Sequence, residues 1–428
     1  MQQKNNGNSA ILLTFLFPFA GLVYSLTHWR ESWAKNAFWL ACVYLGAVLI
    51  YWPEGTILGE GADGGRYVLE LMDMYKSNIN IIQLFGLYQT DEFHMDLYQP
   101  LITFFISRFT DNGHVLFAGF AFVFGFFYSR NMWYILEKLP HKRLGLFSIL
   151  VALFFLACPI TSINGVRMWT ALHVFVYGMM PYLLDRDRSK LWWVAITPFI
   201  HFSFMYVAIF ALIYGYIPYR LKTKSQLFLF VSFVFFVGTL FVNPLSLDAV
   251  SDVLNEFSPD SFDRKVELYT NQDYQQAVSA SAASFNWYIT YSGIIKKWVY
   301  NILFILLLPC LKRNFRQDER LFNMYVFTLL LGGLANIMGL IPSGGRFQLL
   351  AQIFKISLVL LVMFRVPYTD NFYKILRFTL VLLILPLVVD IRRLFDFFSI
   401  TSVLGNFITI FFWENNMPLI EWIKYVIR

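Results

Sequence analysis

The chain has 428 residues, of which 58% are apolar and only 14% are charged. Soluble domains carry roughly 25% charged residues, so this composition excludes a protein with a water-soluble surface. The formal charge of +7 comes from basic residues that cluster between apolar runs. That distribution orients membrane proteins and does not indicate a nucleic-acid partner.

Apolar runs of about 20 residues, the length that crosses a bilayer core of about 30 Å, follow one another along the chain. Only helices and closed barrels satisfy the backbone in lipid, and the runs lack the alternation of barrel strands. The sequence therefore predicts an all-α, polytopic transmembrane helix bundle of about 10 to 13 membrane segments. The clearest spans are residues 10–27, 36–52, 113–129, 145–161, 166–184, 226–243, 298–311, 321–341, 347–364 and 375–391.

Short basic connections alternate with two long acidic ones, residues 53–98 and 244–296. Because connections rich in Lys and Arg stay in the cytoplasm, the long ones are predicted to be extracytoplasmic loops, and the N-terminus also lies outside. Residues 393–428 form amphipathic stretches and are predicted to be interfacial helices at the outer face. A further span over 396–412 is the alternative.

Residues 191–218 interrupt this alternation. As one span they would leave the basic residues that follow on the outside, whereas two half-length helices would return the chain to the cytoplasm. Pro198 lacks the amide that continues a helix, and broken helices at membrane depth line cavities. We predict a broken hairpin whose polar tip, His201-Phe-Ser203, lies near the middle of the bilayer.

Several ionisable residues fall at membrane depth, where they are costly and usually functional. Arg167 follows an Asn-Gly turn at the outer end of one span, and Arg346 closes a Gly-Gly turn at the outer start of another. Behind Arg346, the residues Gln348, Gln352 and Lys355 recur on one helix face that leads inward. Arginines on one side suit a diphosphate, although they can also snorkel to the headgroups, and a buried lysine can pair inside the bundle.

The outer segment 269–291 is rich in aromatic and hydroxyl groups, with Tyr288 among them. It suits the binding of sugar rings, and an interfacial aromatic belt is an equal alternative. No cytoplasmic loop is long enough for a nucleotide-binding domain, and no P-loop or dinucleotide fingerprint occurs. The histidines lack the spacing of metal ligands, so we predict neither metal nor cofactor.

These residues resemble, in order and placement, the EpsG-like branch of the Wzy-type polysaccharide polymerases. Asn164-Gly-Val-Arg167 resembles the outer-end arginine motif of that family, and His201-Phe-Ser203 is similar to its His-x-Ser element. The other similar elements are Gly61-Ala-Asp63 with Tyr67, Tyr98-Gln99-Pro100, Gly345-Arg346-Phe347 and Gly405-Asn406.

The resemblance implies a membrane glycosyltransferase, similar to the GT-C type, that polymerises oligosaccharide repeat units linked to undecaprenyl diphosphate. Donor and acceptor are then both lipid-linked, and the reaction takes place at the outer face of the bacterial inner membrane without metal or nucleotide. A protein that regulates chain length is an expected partner. Two positions depart from the family pattern: Gln99 stands where Glu is usual, and Met168 replaces the Gln that commonly follows the arginine.

Carried over residue by residue, the resemblance implies that Arg167 and Arg346 bind the donor diphosphate and stabilise the leaving group. His201 is the candidate general base, with a side-chain pKa that is ordinarily near neutral, and Asp63 is the second candidate. The candidate substrate-binding residues are Asn164, Ser203, Tyr67, Gln99, Gln348, Gln352, Lys355 and Tyr288.

Three other functions stay open on the sequence. A lipid-linked oligosaccharide ligase would use the same donor with another acceptor. A flippase or transporter would show internal repeats with matched broken segments, and only one broken segment is found. A membrane acyltransferase would need a histidine reachable from the cytoplasm, and His201 lies between two cytoplasmic ends.

Overall fold

The computed structural model describes residues 2–49, 63–77, 79–90, 96–140, 145–242, 286–340, 344–367, 369–412 and 417–427. Across these ranges the chain forms helices and no β-strand, apart from one isolated bridge between Ser399 and Pro418. The predicted all-α class is confirmed.

The helices follow one another in chain order with short connections. The first are α1 (Gln2–Leu16), α2 (Pro18–Thr27), α3 (Ala34–Val48), α4 (Asp63–Ser77), α5 (Ile81–Thr90), α6 (Tyr98–Ser107), α7 (Gly113–Leu136) and α8 (Ser148–Leu156). Next come α9 (Val166–Asp185), α10 (Leu191–Ala195), α11 (Thr197–Ile200), α12 (Phe204–Tyr216), α13 (Tyr219–Lys224) and α14 (Gln226–Thr239). The last are α15 (Trp287–Asn314), α16 (Glu319–Met338), α17 (Arg346–Met363), α18 (Asn371–Leu382), α19 (Ile384–Phe397), α20 (Ile400–Leu404) and α21 (Leu419–Ile427).

Five helical stretches within the described ranges are long and apolar enough to cross a membrane. They are Gly113–Leu136, Gly145–Asp185, Trp287–Asn314, Glu319–Met338 and Arg346–Met363. α18 and α19, which meet at a bend of 42°, pass the same test as a pair. Shorter apolar helices, α3, α12 and α14 among them, pack against the long ones. The protein is therefore a multi-pass membrane protein, as the sequence predicts.

Two predicted spans are interrupted. The span over residues 10–27 is divided into α1 and α2, because the chain bends so sharply that a Cβ on Gly21 would lie 2.2 Å from the Thr14 hydroxyl. The helix α8 is short, and the 3-10 helix Ile160–Gly165 connects it with α9. Irregular turns of this kind are tolerated in a membrane protein where neighbouring helices enclose them.

The predicted broken hairpin is confirmed over residues 191–216. α10 and α11 run away from the end of α9, the backbone becomes extended at His201 (φ −150°, ψ 118°), and α12 runs back. At the end of α12, the Tyr182 hydroxyl of α9 donates to the Gly215 carbonyl at 3.1 Å. The hairpin therefore begins and ends beside the C-terminus of α9.

The basic connections meet at this same end of the bundle. Arg186, which follows α9, and Lys224 of α13 both pair with Glu319 at the start of α16, each at 3.0 Å. Lys138, just after α7, pairs with Asp185 at 3.0 Å. The positive-inside rule assigns this end to the cytoplasm and the opposite end, where α9 and α17 begin, to the outside.

The C-terminal segment consists of short pieces. α19 extends into the predicted interfacial region 393–428, α20 has 5 residues, and a 3-10 helix of 3 residues follows at Thr409–Phe411. The described residues of 396–412 therefore contain no helix of spanning length. The Leu419 amide donates to the Phe398 carbonyl at 2.7 Å and ties α21 to the end of α19. The interfacial location stays a prediction.

Of the two predicted outer loops, 244–296 lies outside the described residues up to position 285. The loop 53–98 contains α4 and α5, and α4 packs on α6 and α7. Arg108, after α6, fixes the end of α4, because its guanidinium donates to the carbonyls of Met74 and Ile79 at 2.8 and 2.9 Å.

Candidate functional site

The first turn of α9 carries Arg167. The 3-10 helix ends at Gly165, where a Cβ would lie 2.7 Å from the Trp169 ring, so only glycine allows this tight entry into the helix. The Arg167 guanidinium donates to the Asp96 carboxylate at 3.0 Å and lies 5.9 Å from the centre of the Tyr67 ring. Its side chain stays 25% exposed, so the cation is held in place and still open.

Asp96 connects this arginine with the tip of the hairpin. One carboxylate oxygen pairs with Arg167, and the other accepts the Phe202 amide at 2.6 Å. The next amide, that of Leu97, donates to the Phe199 carbonyl at 2.8 Å. A charge-assisted bond to a backbone amide is strong, so Asp96 holds the tip against the start of α9.

The tip itself contains the His-x-Ser element. The His201 Nδ1 atom accepts the Ser203 amide at 3.2 Å and lies 2.8 Å from the Ser203 hydroxyl. A backbone amide can only donate, so Nδ1 has no proton in the neutral ring and the proton lies on Nε2. The Ser203 hydroxyl also lies 3.8 Å from the Met168 sulfur.

The contact with Met168 places the tip beside the first turn of α9. The prediction that the tip lies near the middle of the bilayer is therefore wrong. The physical reason is the combined reach of α10 and α11, which start partway along α9, where Gly178 lies against Val194. The hairpin thus needs few residues to reach the outer end of the bundle.

Arg346 begins α17 at the same end of the bundle. The next residue, Phe347, packs on Phe204, the first residue of α12, with ring centres 5.3 Å apart. Arg346 is exposed and makes neither an ion pair nor a hydrogen bond with any residue that the structure describes. The two predicted arginines and the predicted histidine therefore lie at one end of the bundle.

The polar face of α17 points elsewhere. The Lys355 ammonium donates to the Asn301 amide oxygen of α15 at 2.7 Å and lies 4.8 Å from the centre of the Phe236 ring. The Gln348 amide lies against Gly339, at the end of α16. Gln352 is half-buried on the same face. The structure does not bring these three residues to the hairpin tip, because the aromatic face of α17 packs there instead.

The candidates of the first outer loop lie around α4 and α6. Tyr67 is buried next to Arg167, and a Cβ on Gly64 would lie 3.9 Å from the Asn164 side-chain oxygen, so α4 begins beside the Asn-Gly turn. Asp63 is the first residue of α4, and its side chain lies outside the description.

Gln99 is buried and does not face an open space. Its amide donates to the Glu70 carboxylate of α4 at 2.6 Å and to the Thr103 hydroxyl at 3.1 Å. The glutamine that departs from the family pattern is therefore the partner of a carboxylate on a neighbouring helix. Glutamine can donate to that carboxylate, whereas an ionised glutamate would repel it.

Tyr288 lies in the first turn of α15, and its hydroxyl accepts the Asn286 side-chain amide at 3.2 Å. The Trp287 ring is edge-on to it at 5.9 Å. No described contact joins Tyr288 to the hairpin tip. The rest of the aromatic segment 269–291, up to residue 285, lies outside the described residues.

Sequence reasoning missed Asp96 and Glu70, although both belong to an acidic loop. A signal for Asp96 was available: it is a carboxylate two residues before α6, at the same predicted outer end as Arg167. The partner of that arginine could have been sought among such carboxylates. Nothing in the sequence distinguishes Glu70 from the other acidic residues of the loop.

The geometry agrees with the comparison to known proteins. The model of the EpsG family matches residues 59–415, which include the whole site. The chain therefore belongs to the EpsG family, and it is a polysaccharide polymerase-like membrane protein. No curated protein and no solved structure matches it.

Proposed function

We propose that the protein polymerises polysaccharide repeat units carried on undecaprenyl diphosphate, at the outer face of the bacterial inner membrane. The observation that carries the proposal is the meeting of Arg167 and Arg346 with the His201 tip at one end of the bundle. Guanidinium groups bind phosphate oxygens in bidentate geometry, and a diphosphate offers two such groups.

In the proposed reaction a hydroxyl of the acceptor sugar attacks the anomeric carbon of the donor glycan. The bond between that carbon and the diphosphate breaks, a glycosidic bond forms, and undecaprenyl diphosphate leaves with the electron pair. Diphosphate is a good leaving group, so the protein has mainly to position it and to neutralise its charge. Arg167 and Arg346 are assigned this role.

The proton of the attacking hydroxyl is assigned to His201, with Ser203 as a relay. The Ser203 hydroxyl lies 2.8 Å from the unprotonated Nδ1 atom, so it can pass its own proton to the ring while it accepts one from the sugar. Asp63 remains the second candidate base, because it begins the helix that packs beside Asn164. Asp96 is a positioning residue, since it binds both Arg167 and the tip.

The deciding experiment is a reconstitution of the purified protein with a synthetic undecaprenyl-diphosphate repeat unit, without nucleotide. A ladder of lengthening glycans is expected. Arg167→Ala and Arg346→Ala should each lower the rate by about two orders of magnitude, the usual loss for a donor that stabilises a leaving group. Arg365→Ala is the matched control, because Arg365 follows the opposite end of α17 and is 44% exposed.

Each other outcome points to a different function. Transfer of a single glycan without lengthening would indicate a ligase, and lipid movement across sealed vesicles without glycan transfer would indicate a flippase. Near-wild-type polymer from both arginine variants would refute the diphosphate assignment.

A further inference from the structure

The basic end of the bundle contains a polar concavity, separate from the site above. It lies between α13, the start of α14, the end of α15 and α16, and its volume is about 520 Å³. Four cationic side chains line it, and no acidic residue is found among the described residues of its wall. The four are Lys222, Lys224, Lys312 and Arg316.

The cations at the end of α15 divide into two groups. Arg313 points away and is bound to the carboxylate of Asp370. Lys312 and Arg316 line the concavity, are exposed, and make no ion pair or hydrogen bond with any described residue. Two positive charges are therefore left uncompensated at one place.

Lys222 forms the inner part of the concavity and is only 2% exposed. Its ammonium donates to the Tyr214 carbonyl at 2.9 Å and to the Tyr182 hydroxyl at 3.0 Å, and no carboxylate of the described chain pairs with it. A buried cation without an opposite charge is costly. An anion in the concavity would offset that cost.

The start of α14 adds a partial positive charge. Ser225 caps this helix, since its hydroxyl accepts the Phe228 amide at 3.1 Å, and both Ser225 and Gln226 line the concavity. Helix N-termini attract anions. The helix end reinforces the four cations here and would not define a site without them.

One wall of the concavity is apolar and is formed by Leu229, Phe322 and Val326. Basic residues between spans orient a chain wherever they lie, but orientation requires neither their convergence nor an adjoining apolar wall. A soluble anion would need only the cations, whereas a lipid would use the cations for its headgroup and the wall for its chain. Basic pockets between membrane helices on the cytoplasmic side bind anionic lipid headgroups.

We propose that this concavity binds the phosphate headgroup of an anionic phospholipid of the cytoplasmic leaflet, with an acyl chain along the apolar wall. The lipid would join α13, α14, α15 and α16 at the end of the bundle opposite to the proposed catalytic site. The proposal does not depend on the enzymatic activity, so its failure would leave the proposed function intact.

The test is lipid retention by the full-length protein, measured by native mass spectrometry after delipidation and addition of phosphatidylglycerol, phosphatidylcholine or inorganic phosphate. The wild type should retain phosphatidylglycerol in preference to phosphatidylcholine. The double variant Lys312→Ala/Arg316→Ala should bind phosphatidylglycerol about thirtyfold more weakly, since each surface cation contributes roughly a fivefold factor. Lys374→Ala/Arg377→Ala is the control, because it removes two exposed charges from α18.

Three results would overturn the proposal. Equal retention of the neutral and anionic lipids would make the contact apolar only. An equal loss in both double variants would show a general charge effect. Binding of inorganic phosphate as tight as that of phosphatidylglycerol would replace the lipid with a soluble anion.

Discussion

Two cations inside the bundle, Arg167 and Lys355, lie in opposite surroundings. Arg167 is one quarter exposed, and its partner is a carboxylate that also holds the hairpin tip. Lys355 is 5% exposed, its partner is the neutral amide of Asn301, and aromatic rings enclose it. An enclosed cation whose partner is a neighbouring helix joins helices, whereas an open cation between three chain segments can receive an anion.

The same contrast runs along α17. Its first residue, Arg346, is exposed beside the tip, while the polar face behind it is turned toward α15 and α16. Polarity at membrane depth therefore does not by itself indicate a site. What separates the two regions is whether the polar groups satisfy one another.

The largest effect on this comparison is expected from Asp96→Ala. It leaves Arg167 without its partner and releases the Phe202 amide, so the arginine and the tip lose their relative position. Misplacement of this kind costs about 100-fold in rate. The measurement is glycan transfer by the reconstituted protein, with kcat and KM for the donor determined separately.

Asp185→Ala is the matched control for this prediction, because Asp185 lies at the other end of α9 and also pairs with a cation. A rate for Asp96→Ala within about threefold of the control would show that Arg167 needs no positioning.

A smaller effect is expected from Gln99→Glu, which restores the usual family residue. The new carboxylate would lie about where the amide now donates to Glu70 at 2.6 Å, and two carboxylates at that distance repel each other. The expected loss of stability is about 1–3 kcal/mol. Thermal unfolding of Gln99→Glu, Glu70→Gln and the double variant should show recovery in the double variant. Independent, additive losses would contradict the pairing.

A third prediction concerns Lys355→Met. Methionine has a similar shape, and replacing a buried charge with an apolar group is often neutral or stabilising, so stability should change by less than about 1.5 kcal/mol. Polymerising activity should persist, in contrast to Arg167→Met, which should keep its stability and lose activity. Loss of polymerisation in a stable Lys355→Met protein would return Lys355 to the catalytic site.

The smallest effect is expected from the pH dependence of Lys222, at the cytoplasmic end. Burial, and secondarily the nearby charge of Arg188, lowers the pKa of this lysine to about 8. Between that value and the ordinary pKa of 10.5, the unfolded chain binds more protons than the folded chain, so stability should rise with pH over this window. Lys222→Met should lack the rise.

Thermal unfolding of both proteins in lipid-free detergent at pH 7 and pH 10 checks this, and the difference is on the order of 2 °C. Tyr182, Tyr214, Lys224, Lys312 and Arg316 surround the group and are present in both proteins, so their titration cancels in the comparison. Equal slopes in the two proteins would show that Lys222 stays charged.

The sequence by itself determined the class of fold, because hydropathy and the length of apolar runs are properties of each segment. It also determined the broken hairpin: the missing amide of Pro198 and the charges after Tyr219 are local features that allow few alternatives. The outer-end location of Arg167 and Arg346 followed from the alternation of basic and acidic connections. These predictions need no knowledge of which helices touch.

Only the tertiary structure decided which polar groups meet. The pairing of Arg167 with Asp96 joins residues 71 positions apart, and that of Lys355 with Asn301 joins residues 54 apart. The level of the hairpin tip also depends on where α10 packs along α9. Helix faces are readable from spacing, but the neighbour that covers each face is chosen by packing across the whole bundle, and no local pattern records that choice.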